Sequence, residues 1–104
     1  LAELTTEELI DFHELVKKLE HACRKAFNAT MFNWTCLMNN AYRHTPPTPQ
    51  VHWHFRPRYN QVVKFAGVEF YDKLFSSHYE LHTDDRDIGP EIRSLILAEI
   101  KKYL

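Results

Sequence analysis

The most informative stretch of the chain is QVHWHFRPRY, residues 50–59. Its apolar residues Val51, Trp53 and Phe55 alternate with polar or charged ones, which is the period-two pattern of a half-buried β-strand. The alternation predicts a strand over residues 51–56, with the apolar side chains against a core. Pro57 lacks the N–H group that a ladder needs, so the strand is predicted to end there.

The same alternation places two imidazoles on the other side of the predicted strand. His52 and His54 are two residues apart, so their side chains project from one face and can act on one substrate together. Imidazole suits nucleophilic and acid–base catalysis because the unperturbed pKa of histidine is about 6.5, so both protonation states are accessible at neutral pH. Two alternatives stay open: a pair of solvent-facing histidines, and a zinc site completed by His44 and Cys36. The zinc site is the less favoured, because strand alternation places Cys36 with apolar residues.

A long helix is predicted before this segment. The sequence TTEE at residues 5–8 offers Thr5 as N-cap and Glu8 three residues later, which is the capping-box arrangement. Apolar residues then recur at intervals of three and four, at Leu9, Phe12, Val16, Leu19, Cys23 and Ala26. The helix is predicted to end near Phe27, with Asn28 as a left-handed cap residue.

The remaining segments complete an α+β pattern. Residues 31–38 are predicted to form a strand, residues 39–49 a proline-containing loop, and residues 62–70 an edge strand or extended arm. Gly89-Pro90 opens a last helix, whose predicted apolar face contains Ile92, Leu95, Ile96, Ile100 and Tyr103. We therefore predict one domain over residues 1–104, with an antiparallel sheet packed by the long helix and a C-terminal helix that packs locally or on a partner.

Composition narrows the classes of function. The chain has 104 residues, 44% of them hydrophobic, and a formal net charge of -1. This near-zero charge argues against binding nucleic acid or an acidic membrane through a strongly basic field. Two cysteines are too few for a disulfide scaffold and predict reduced thiols in a cytoplasmic protein. The other histidines (His44, His78 and His82 among them) have no supporting motif and are expected on the surface.

Residues 50–59 resemble the signature of the histidine triad (HIT) family of nucleotide hydrolases and transferases, His-φ-His-φ-His-φ-φ, often followed by Pro-Arg. Alignment on the Pro-Arg at residues 57–58 makes His54 the third histidine and His52 the middle one. Gln50 then stands in place of the first. The other register would put Arg56 third and would misplace Pro-Arg.

The resemblance extends over about residues 4–59. The capped helix, the strand and the loop occur in the order found in the family, and Asn39 lies eleven residues before Gln50, where family members carry Asn or Gln. The family also has strands before the first helix. Because the sequence opens with Leu1 rather than Met, we expect such strands upstream of it.

The resemblance implies hydrolysis of a dinucleoside polyphosphate or nucleoside phosphoramidate, without a cofactor or a metal ion. His52 would attack the α-phosphate and form a nucleotidyl-imidazole intermediate, which water then cleaves. His54 would bind the phosphate oxygens or the departing group. In the family a backbone carbonyl holds the other nitrogen of the nucleophile, and that contact needs no particular side chain at position 50.

The resemblance also implies a set of phosphate- and nucleotide-binding residues. Asn39 and Gln50 would contact ribose or phosphate, and Thr45 or Thr48 would supply the hydroxyl that a residue at the end of a Gly-rich loop usually contributes. Arg56 and Arg58 are both candidates for phosphate binding, although surface arginines are common and solvated side chains are the favoured alternative for both. Arg58 is the better candidate because it belongs to the Pro-Arg pair. Family members are commonly dimers, so a homodimer is the expected assembly.

A different class of function stays open as the alternative. Gln50, the proline-containing loop and the missing upstream strands also fit a HIT-like nucleotide-binding or dimerisation module with little turnover.

Overall fold

The structure, a computed structural model, describes residues 1–77 and 86–104 and has an α+β architecture. Two helices are α1 (Thr6–Phe27) and α2 (Gly89–Lys101), and a short 3-10 helix spans Asn39–Arg43. The strands are β1 (Met31–Thr35), β2 (His54–Arg58), β3 (Val63–Phe65) and β4 (Val68–Phe70). They form two antiparallel sheets, β1–β2 and β3–β4, so the α+β prediction is confirmed, with two small sheets in the described part of the chain.

Helix α1 forms as its sequence predicts. Thr5 Oγ1 accepts a hydrogen bond from the Glu8 N–H at 3.2 Å, and the Glu8 carboxylate accepts one from the Thr5 N–H at 2.8 Å. At the other end Asn28 is left-handed, with φ 56°, and its N–H donates to the Arg24 carbonyl at 3.0 Å. Both caps satisfy backbone groups that a helix end leaves without partners.

Strand β2 begins and ends later than predicted. It starts at His54 rather than Val51, and it runs through Pro57, which is paired with Phe32 of β1. Among the described residues β2 pairs with β1 alone, and a strand with an open edge can accommodate a proline. His52 therefore lies in the segment just before the strand, outside the ladder.

The segment predicted as an edge strand or arm is a hairpin. Strands β3 and β4 are joined by Ala66 and Gly67, with φ values of 49° and 75°. Two consecutive positive φ angles are typical of the tight turns whose twist matches that of paired strands. Glycine adopts this conformation without the steric cost that a side chain brings.

An aromatic cluster joins the β1–β2 sheet to α1. Phe12 stacks on Trp53 with ring centroids 4.2 Å apart and meets Trp34 edge-on at 5.6 Å, and Trp34 stacks on Phe55 at 4.3 Å. The indole N–H of Trp34 also donates to Glu20 of α1 at 3.0 Å. The predicted apolar face of the strand thus packs on the helix, which fixes its histidine face on the opposite side.

Helix α2 packs against α1 through part of its predicted apolar face. Ile92, Ile96 and Ile100 are half-buried, whereas Leu95 and Tyr103 are 50% and 38% exposed. These three isoleucines form a narrow stripe along α2 that is enough to contact one neighbouring helix. Leu95 and Tyr103 lie to the side of this stripe and meet solvent. No helix in the described ranges combines the length and apolar character needed to cross a membrane.

Candidate functional site

The face of the β1–β2 sheet turned away from α1 carries polar side chains, and we call it the polar face. It contains Asn33 and Thr35 from β1 and His54, Arg56 and Arg58 from β2. In the ladder Thr35 lies opposite His54, and Asn33 lies opposite Arg56. The antiparallel register therefore arranges one continuous row of donors and acceptors that ends at His54.

The two imidazoles lie side by side at the end of this row. The ring centroids of His52 and His54 are 5.2 Å apart, and the ring planes are inclined by 67°. His54 is half-buried on β2, whereas His52 is exposed. The structure thus brings together the two side chains that the alternation predicted to be neighbours.

A backbone contact orients the more exposed ring. The Nδ1 atom of His52 lies 3.0 Å from the Gln50 carbonyl oxygen. A carbonyl oxygen only accepts hydrogen bonds, so Nδ1 carries the proton, and the lone pair of a neutral ring is then on Nε2. The contact uses the backbone of Gln50 and is independent of its side chain.

Arg56 is half-buried on the polar face and reaches toward the imidazoles. Its Nη1 donates to the Thr35 hydroxyl oxygen at 3.3 Å. Because Thr35 is the residue opposite His54, the guanidinium leans toward the histidine end of the ladder. The side chain is only partly solvated, because the facing strand offers it a hydroxyl acceptor.

Arg58 occupies a different environment from the one predicted for a phosphate-binding residue. It is 3% exposed, and its Nε and Nη2 donate to the two Asp72 carboxylate oxygens at 2.5 and 3.0 Å. It also donates to Asn33 Oδ1 at 3.0 Å, to the Ser77 carbonyl at 3.2 Å and to the Leu74 carbonyl. The side chain joins residues 72–77 to the sheet and is buried beneath them, an environment unlike the one expected of a phosphate-binding residue. The reason is Asp72, a partner fourteen residues away that local pattern does not reveal.

The contact with Arg58 perturbs the Asp72 carboxyl group. The hydrogen bonds from Arg58, assisted by its charge and by the backbone N–H groups of Tyr59 and Leu74, hold the pKa of Asp72 below its usual 3.8 despite partial burial. The ionised form of Asp72 is therefore favoured in the folded chain more than in the unfolded one.

This perturbation predicts part of the acid sensitivity of the chain. A carboxyl with a lowered pKa in the folded state stabilises fully above its unfolded pKa, and that contribution is lost as pH falls through the folded pKa. We expect the free energy of unfolding, measured with urea, to fall between pH 5 and strongly acidic conditions less steeply in Asp72→Asn than in the wild type. Equal slopes for the two proteins would contradict the prediction.

The other predicted phosphate-binding residues are exposed. Asn39 begins the 3-10 helix, and Thr48 and Gln50 lie in the segment before β2, which has no regular secondary structure. Within the described ranges no hydrogen bond joins the side chains of these three residues to either imidazole. The structure therefore assembles the histidine pair of the predicted site without bringing these three side chains into contact with it.

The alternative zinc site is not assembled. In residues 1–77 and 86–104 there is no group of three or more His, Cys, Asp or Glu side chains that could hold a metal ion. His44 is exposed, and His78 and His82 lie outside the described residues. Cys36 and Cys23 are free thiols, and burial raises the pKa of Cys23.

Sequence reasoning missed two participants in the polar face, Asn33 and Thr35. Their signal was present, because the alternation that turns Phe32 and Trp34 toward α1 turns Asn33 and Thr35 away from it.

The polar face and the adjoining His52 together present an oriented imidazole, the second imidazole of His54 and the guanidinium of Arg56. An oriented ring can attack an electrophilic centre, the second ring can exchange a proton, and the cation favours an anionic substrate. No protein-family model matches the chain, and neither a curated protein nor a solved structure is significantly similar to it.

Proposed function

We propose that this chain is a nucleotide phosphohydrolase or nucleotidyl transferase of the histidine triad type. The observation that carries the proposal is the 3.0 Å contact between His52 Nδ1 and the Gln50 carbonyl, with His54 alongside. It supplies the oriented nucleophile that the resemblance implies, even though Gln50 replaces the first histidine. The substrate is a dinucleoside polyphosphate or a nucleoside phosphoramidate.

In the first step His52 Nε2 uses its lone pair to form a bond to the α-phosphorus. The bond from that phosphorus to the leaving oxygen or nitrogen breaks, and the departing atom takes a proton from His54. The His52 ring becomes positively charged as it is nucleotidylated. The Gln50 carbonyl oxygen accepts from the ring N–H and stabilises that charge where it develops.

In the second step water regenerates the imidazoles. The water oxygen bonds to phosphorus, the bond from phosphorus to Nε2 breaks, and its electron pair returns to His52. His54 takes the proton of the water and so recovers the one it gave up. The products are a nucleoside monophosphate and the leaving group, and both side chains end in their starting states.

The covalent intermediate provides the direct test. We expect alkaline quenching of wild-type protein during turnover of a fluorogenic adenosine phosphoramidate to trap a nucleotidyl group on the peptide that contains His52. Mass spectrometry of the digest locates the label, and a parallel reaction with chelator should proceed at the same rate. Turnover without a label, a label on another residue, or loss of activity with chelator would each contradict the proposal.

The proposal includes a homodimer in the cytoplasm. Large apolar side chains are exposed on both helices, at Leu9, Ile10, Leu15, Leu95 and Leu97, and a second copy could cover them. The two free thiols fit a reducing compartment.

One observation favours the alternative, a HIT-like nucleotide-binding or dimerisation module with little turnover. The prolines at positions 46, 47 and 49 have no N–H groups to offer a phosphate, and the segment that contains them is exposed. This alternative predicts that wild type and His52→Ala bind AMP equally and that neither hydrolyses the phosphoramidate.

A further inference from the structure

We propose that Arg56 binds the leaving-group phosphates of the substrate, so that the site favours dinucleoside polyphosphates over nucleoside phosphoramidates. The inference rests on the proposed function and selects between the two substrate classes that the sequence leaves open. In the HIT signature an apolar residue stands at this position, so the charge of Arg56 is a departure from the pattern.

The position of the guanidinium is the first argument. Arg56 lies opposite Asn33, yet its Nη1 donates at 3.3 Å to Thr35, which lies opposite His54. The side chain therefore crosses the ladder diagonally toward the imidazole pair. Neighbouring same-face positions on a strand are about 6.6 Å apart, and the contact with Thr35 turns the guanidinium from its own position toward that of His54.

Burial separates this arginine from the other one on the polar face. Arg58 also leans diagonally, from its partner Met31 to Asn33, but it is 3% exposed beneath residues 72–77. Arg56 is half-buried and so remains accessible to a ligand at the sheet surface. Of the two arginines, Arg56 is therefore the more accessible.

The order of the side chains assigns Arg56 to the leaving group. His52 attacks the α-phosphorus, and His54 stands between His52 and Arg56 along the strand direction. An in-line displacement sends the departing group away from the nucleophile, toward the guanidinium. A planar guanidinium binds phosphate oxygens through paired charge-assisted hydrogen bonds, whereas the amine released from a phosphoramidate offers none.

The test compares kcat/KM for diadenosine tetraphosphate and adenosine 5′-phosphoramidate. Loss of a charge-assisted contact predicts that Arg56→Met lowers kcat/KM for the tetraphosphate by about 10- to 100-fold. The phosphoramidate value should change by less than about threefold, because its leaving group makes no such contact. Arg56→Lys should give an intermediate loss, since an ammonium group keeps the charge without the paired geometry.

The matched control is Arg93→Met, which removes an exposed arginine of α2 paired with Asp87. It should leave both substrates unaffected, and thermal melts should show all variants folded. Equal losses on the two substrates, or no loss on the tetraphosphate, would overturn the inference.

A wild type that hydrolyses neither substrate would refute the proposed function instead. The inference is then tested by calorimetry of nucleotide binding. If Arg56 contacts the outer phosphates, Arg56→Met must weaken the binding of ATP about tenfold more than it weakens the binding of AMP. Equal weakening, or no ATP binding by the wild type, would overturn it.

Discussion

Replacing His52 with alanine is expected to lower kcat for the phosphoramidate at least about 10³-fold, because a covalent mechanism loses its only bond-forming atom. The variant should stay folded, since His52 is exposed and precedes the first residue of β2. Steady-state fluorescence assays measure the loss, and circular dichroism with thermal melting verifies the fold.

The matched control is His21→Ala, which removes another exposed histidine, on α1. Its kcat should equal that of the wild type. His54→Ala is expected to lose about 10²- to 10⁴-fold, the range typical of a proton-transferring side chain. If His52→Ala kept a tenth or more of wild-type turnover, the nucleophile would have to be another group.

Of the substitutions considered, Arg58→Met is expected to lower the free energy of unfolding most, by about 3–5 kcal/mol, because it leaves the Asp72 carboxylate without its buried partner. Asp72 is only 18% exposed, so water cannot fully replace the guanidinium. The carbonyls of Leu74 and Ser77 lose their donor in the same substitution. Urea unfolding at neutral pH, followed by tryptophan fluorescence, measures the effect.

An exposed ion pair provides the control for this substitution. Arg93→Met breaks the ion pair with Asp87. The side chains of Arg93 and Asp87 are 65% and 82% exposed, so the substitution should lower the free energy of unfolding by no more than about 1 kcal/mol. Arg58→Lys should fall between the two, because a lysine keeps the charge but cannot hold both carboxylate oxygens in the same geometry. A loss below about 1 kcal/mol for Arg58→Met would show that residues 72–77 do not depend on this clamp.

The parts of the fold that depend on local pattern could be predicted from the sequence. Helix α1 begins after Thr5 and ends before Asn28 as predicted, because its caps and apolar stripe are short-range features. The apolar face of the histidine segment was also predictable, since alternation alone turns Trp53 and Phe55 toward α1.

The boundaries of β2 could not be predicted in the same way. They depend on which residues of β1 pair with it, and the ladder that joins His54 to Thr35 also extends through Pro57. Proline chemistry predicts a break only when its missing N–H faces a partner strand, and that condition is a property of the sheet.

The candidate site shows the same division. The proximity of His52 and His54 could be predicted from their two-residue spacing, and their ring centroids are 5.2 Å apart in the structure. The choice between Arg56 and Arg58 required knowledge of Asp72, whose approach is a tertiary event. Motif position alone favoured Arg58, and only the fold shows that this side chain is buried.

Because β2 starts at His54, the backbones of His52 and His54 are constrained to different degrees. The ladder anchors the backbone of His54, whereas that of His52 belongs to a segment outside it. Exchange of the backbone amide hydrogen should therefore be slower at His54 than at His52. In the proposed mechanism, this difference would let the His52 ring move with phosphorus as the bond forms and breaks, while His54 keeps its place in the sheet.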